Sequence, residues 1–68
     1  MIMVIDIDAS TVVDVVALRR DVRDAYPDAK VRIWHWRRSH NSVVDVVGDD
    51  SGSVEMHVRS LVERQRGW

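Results

Sequence analysis

Residues 31–47 read VRIWHWRRSHNSVVDVV, and their pattern decides the fold. Val31, Ile33 and His35 alternate with Arg32, Trp34, Trp36 and Arg38, the period of a strand with two unlike faces. Arg38 to Ser42 is a polar run containing Asn41, and Val44 and Val46 then alternate with Val43, Asp45 and Val47. The stretch therefore predicts two antiparallel strands, Val31 to Arg38 and Val43 to Val47, joined as a hairpin by a longer loop. His35 is expected to face the interior, half-buried with a hydrogen-bond partner.

Upstream, Val4, Ile5 and Ile7 open a first strand, with Met3, Ile5 and Ile7 on its buried face. Thr11, Val15, Leu18, Val22 and Tyr26 then recur at helical spacing. Ser10 is the expected N-cap, with Asp14 in the first turn. Val13 and Val16 fall away from the stripe, and Arg20 is placed to pair with Asp24. Tyr26-Pro27 ends the helix, because a proline drives the residue before it out of helical geometry. Downstream, Gly48 to Ser53 is a break with Asp50, Ser51 and Ser53 as competing caps. Val54, Val58, Leu61 and Val62 mark a second helix, closed by Gly67 with Trp68 folding back.

The order strand, helix, strand, strand, helix specifies an α+β domain covering residues 1–68. The expected strand order is 1-3-2, with both helices on one face. The expected core is Met3, Ile5, Ile7, Val15, Leu18, Val22, Val31, Ile33, Val44, Val46, Val58, Leu61 and Val62. The uncovered face then carries Ile2, Val4, Trp34, Trp36, Val43 and Val47, and the outer edge of the first strand stands open. This βαββα order resembles the ferredoxin-like (split βαβ) family without its fourth strand. Ser10 opening a helix, the hairpin to Val47 and the helix Val54 to Gly67 carry the likeness. It is similar to procarboxypeptidase activation domains and to computationally designed proteins of this shape.

Composition narrows the function. The chain has 68 residues and no cysteine, so it has neither disulfide nor zinc-thiolate chemistry. Ten basic against eleven acidic residues give a net charge of −1, which disfavours a partner built of phosphates. No apolar run approaches a membrane span, and the opening residues are too short for a signal peptide. A soluble chain, cytoplasmic if expressed in a cell, is the expectation.

Several residues invite sharper readings. Arg32, Trp34, Trp36 and Arg38, with Val43 and Val47, form the candidate binding face, since rings beside arginine stack unpaired bases or anchor protein partners. Filling of an exposed sheet face is the plainer reading. His35, His40 and His57 lack metal-ligand spacing. Asp6 and Asp8 lie at the far end of the sheet from Asp49 and Asp50, since strands one and three run oppositely. The serines lack a nucleophile setting and no glycine-rich phosphate loop exists.

The leading expectation is an artificial scaffold with no activity, catalytic group, cofactor or required partner, because every element is cleanly patterned. Valines at exposed helical positions and the near-replacement of lysine by arginine point the same way. The alternative is a small module that binds a protein or single-stranded nucleic acid through the Trp/Arg face. A homodimer through that face or through the strand-one edge fits both.

Overall fold

A computed structural model describes residues 2–35 and 43–66. The elements are β1 (Val4–Asp8), a 3-10 turn (Ala9–Thr11), α1 (Val15–Ala25), β2 (Lys30–Trp34), β3 (Val44–Val47) and α2 (Ser51–Gln65). The α+β class, with three strands in a single sheet and two helices, matches the expectation.

The strand order does not. It runs β2-β1-β3, with β1 in the centre rather than β3. β1 pairs parallel with β2, setting Ile5 beside Val31, and antiparallel with β3, setting Ile5 beside Val46. β2 and β3 therefore occupy opposite edges, and the expected hairpin is instead a change of edge. The strand-one edge expected to be open is paired on both sides. The physical reason lies in the strands themselves. β1 carries the fully buried Ile5 and Ile7 and gains two partners at the centre. β3, of four residues, goes to an edge, where a short strand exposes fewest unpaired groups. The ferredoxin-like order 1-3-2 is not the order found.

Ile5, Ile7, Val31, Val44 and Val46 join Leu18, Val22, Val54, Val58 and Val62 in one cluster, so both helices cover the same sheet face. Val54 enters this core, while Met3, Ile33 and Leu61 are half-buried against it. Val15 is 39% exposed, a departure from the expected core explained by where α1 begins. Ser10 does not cap that helix. Its N–H and hydroxyl both donate to the Asp8 carboxylate, at 3.1 and 2.8 Å, within the 3-10 turn. Asp14 is the cap, accepting from the Ala17 N–H at 3.0 Å. Val13 and Val16 are exposed as expected. Arg20 lies 3.7 Å from Asp21 rather than pairing with Asp24.

The helix stops at Ala25, before Tyr26 and Pro27. The Ala29 N–H donates to the Tyr26 carbonyl at 3.1 Å, and the Lys30 N–H to the Met3 carbonyl at 2.8 Å, which launches β2 beside β1. At the other edge, Gly48 adopts φ +141° where an added Cβ would lie 3.2 Å from the Met3 backbone. Asp50 precedes α2 with φ 56° and no side-chain cap bond. The far ends of the helices are joined by a side-chain amide. Gln65 Oε1 accepts from the Asp14 N–H at 3.2 Å, and Gln65 Nε2 donates to the Asp14 carbonyl at 3.0 Å.

Candidate binding face

The sheet face away from the helices is built from three rows. Register places Lys30, Val4 and Val47 across the first, and Arg32, Asp6 and Asp45 across the second. Trp34 stands beside Asp8 in the third. Asp6, on the central strand, is the hub of this face. It is 8% exposed although no helix covers it, because side chains of β2 lean over it. Arg32 Nε donates to Asp6 Oδ1 at 2.6 Å and Nη2 donates to Oδ2 at 2.9 Å, a two-pronged, charge-assisted pair. The Trp34 indole N–H donates to the same Oδ1 at 3.2 Å.

The electrostatics follow from these bonds. The Arg32 hydrogen bonds hold the Asp6 carboxyl below the ordinary aspartate range, against burial, which pushes it up; the Trp34 bond and the charges of Arg32 and Lys30 add to the lowering. Asp6 in turn pushes the Arg32 guanidinium up. A carboxylate held ionised in this way is a poor proton shuttle near neutral pH. Its effect is mechanical: one acceptor fixes the orientation of a guanidinium and an indole that both remain about half exposed, Trp34 at 48%.

The structure brings Arg32 and Trp34 together on Asp6, and sets Val47 on the same face at the diagonally opposite corner. Val43 is half-buried and packs against the helix-side cluster. Trp36 and Arg38, like the turn with His40 and the closing Gly67 and Trp68, lie outside the described residues. The Asp6 hub was not anticipated. Its signal was a charge set between Ile5 and Ile7, in the middle of an otherwise apolar strand.

The two described histidines, His35 and His57, lie on different elements. His35 is exposed just past the end of β2, not turned inward as expected. His57 lies on α2, where its Nδ1 is 2.7 Å from the Tyr26 hydroxyl, with the two rings edge to face. Among the described residues no group of three or more His, Cys, Asp or Glu side chains could hold a metal ion. No helix among them is long and apolar enough to cross a membrane. A cleft of about 420 Å³ between Met3, Tyr26, Pro27, Asp28 and Asp49 sits at the end of the sheet remote from Trp34.

No family model matches the chain, and no curated protein or solved structure matches it either.

Proposed function

We propose that the chain is a small polypeptide-binding module whose working surface is the open sheet face around Arg32 and Trp34. One observation carries this reading: an indole and a guanidinium, the groups that most often anchor interfaces, are held in place by a shared, nearly buried carboxylate. Pre-ordered side chains lose less entropy on binding than mobile ones. The hub also breaks local consistency. A charge occupies the centre of the sheet, and Asp45 is its like-charged cross-strand neighbour, an unfavourable pairing that a scaffold folding for its own sake has no cause to keep.

A polypeptide is favoured over nucleic acid by the same residues. Asp6, Asp8 and Asp45 share the face with the cations, and carboxylates repel phosphates. A second copy seated on the face is limited by size. Three strands of about five residues project roughly 240 Å², against about 800 Å² of accessible surface per partner in a stable interface.

The test is selection of ligands from a displayed peptide library, followed by affinities for the wild-type chain and for Trp34→Ala. Selected ligands should lose about 2 kcal/mol with Trp34→Ala. Ligands indifferent to Trp34, or tight salt-dependent binding of a single-stranded oligonucleotide, would remove the proposal. Failure to select any ligand would favour the scaffold without activity.

A further inference from the structure

The outer edge of β2 joins this face to the helix side, and no other strand among the described residues pairs with it. Lys30 donates its N–H to Met3 of β1. Alternate residues of a strand point their amides to opposite sides, so Lys30, Arg32 and Trp34 turn theirs toward β1. Val31 and Ile33 turn their N–H and C=O outward, away from the sheet. A groove of about 410 Å³ runs along this edge, lined by Arg19 of α1 and by Val31, Arg32, Ile33 and Trp34.

The charged side chains along the edge itself, Arg19, Lys30 and Arg32, are all basic, and Asp6 and Asp8 stand one strand inward on β1. Arg19 and Lys30 have no ion pair among the described residues, and Arg32 offers Nη1 beyond the two nitrogens engaged on Asp6. A second copy is a poor occupant. Bonding Val31 of one chain to Ile33 of another in antiparallel fashion sets the two Arg32 side chains directly opposite each other. Extended chains of opposite charge meet no such penalty.

We infer that the β2 edge accepts an extended polypeptide segment of alternating apolar and acidic residues, which joins the sheet as its fourth strand. The inference rests on the binding-face reading and specifies its ligand. Backbone bonds to Val31 and Ile33 supply attachment. Apolar side chains of the ligand fall on the helix side, beside Val31 and Ile33. Its carboxylates fall on the open side, beside Lys30, Arg32 and the Trp34 ring, with Arg19 adding long-range attraction.

The probe is a short capped peptide alternating valine and glutamate, with a valine–lysine peptide of equal length as control. The readout is amide hydrogen exchange by NMR. In the free chain Val31 and Ile33 should exchange fast while Arg32 is protected. Saturating valine–glutamate peptide should slow Val31 and Ile33 by at least roughly tenfold. An Arg19→Glu, Lys30→Glu double variant that keeps its fold should bind this peptide roughly tenfold more weakly and prefer the lysine peptide. Binding that moves Val47 and Asp45 but leaves exchange at Val31 and Ile33 unchanged would overturn the edge inference while sparing the open face. Equal binding of the two peptides by the wild-type chain, or binding of neither, would also overturn it.

Discussion

Replacing Asp6 by asparagine keeps the shape of the hub and removes its charge. Asn can still accept from Arg32 Nε or Trp34 through its one oxygen, but its amide N–H₂ then faces the Arg32 Nη2 donor that now lies 2.9 Å from Oδ2. Hydrogen bonds to charged groups contribute about 1.5–3 kcal/mol net where they are buried. Arg32 is 51% exposed, so water recovers part of the loss, and the expected cost at pH 7 is about 1–2 kcal/mol. In a domain of this size that lowers Tm by about 4–8 °C per kcal/mol.

The acid limb makes this prediction specific. The folded Asp6 carboxyl is more acidic than the unfolded one, so in acid the unfolded chain binds the extra proton. The stabilisation is fully present above the ordinary aspartate range and is lost as pH falls through the lowered folded value. Urea unfolding of both chains at neutral pH and in acid should show the difference shrinking to near zero in acid, with m unchanged. A difference of the same size at both pH values, or none at pH 7, would refute the hub.

Three further outcomes are expected. Gln65→Ala, which removes both bonds to the Asp14 backbone, should cost about 0.5–1.5 kcal/mol in urea unfolding and speed amide exchange in the first turn of α1. Gly48→Ala should cost about 1–3 kcal/mol in the same assay, because its φ of +141° suits glycine and the new Cβ meets Met3. Val16→Ala, at a helix position 80% exposed, should raise Tm slightly through about 0.5 kcal/mol of helix propensity.

Much of the fold was legible because hydrophobic period reports which way a side chain faces. The alternation in β1 marked Ile5 and Ile7 as buried, and helical spacing marked Leu18, Val22, Val58 and Val62. Pro27 marked the end of α1 for a local steric reason. Neighbour relations were not legible, since an alternating strand shows the same pattern whether it lies at the centre or at an edge. The clue was charge: Asp6 and Arg32 become register partners only when β1 adjoins β2. Reading β2 as far as Arg38 shortened the apparent loop and made a hairpin economical. Among the described residues β2 ends at Trp34, and the rest of the expected strand, Trp36 to Arg38, lies outside them. The helix begins later than Ser10 suggested: the Asp8 carboxylate engages Ser10 in the 3-10 turn, and Asp14, read as a first-turn residue, caps the helix. Of the candidate face, Arg32 and Trp34 were visible as types, but the carboxylate that orders them depended on the strand order.

The central position of β1 also sets the sequence of events by which the chain can fold. Among the described residues the consecutive pair β1–β2 is parallel and the antiparallel pair β1–β3 is not consecutive, so a local hairpin cannot nucleate the sheet. The pair formed by Asp6 and Arg32 closes a separation of 26 residues, and β3 joins from farther along the chain. Loop closure on that scale must precede the contacts that reward it, which places folding toward the slow end for so small a domain. On the ribosome, β1 is made before β2, and their parallel pairing must wait until β2 has emerged. During that interval Ile5 and Ile7 have only the amphipathic face of α1 to shelter them.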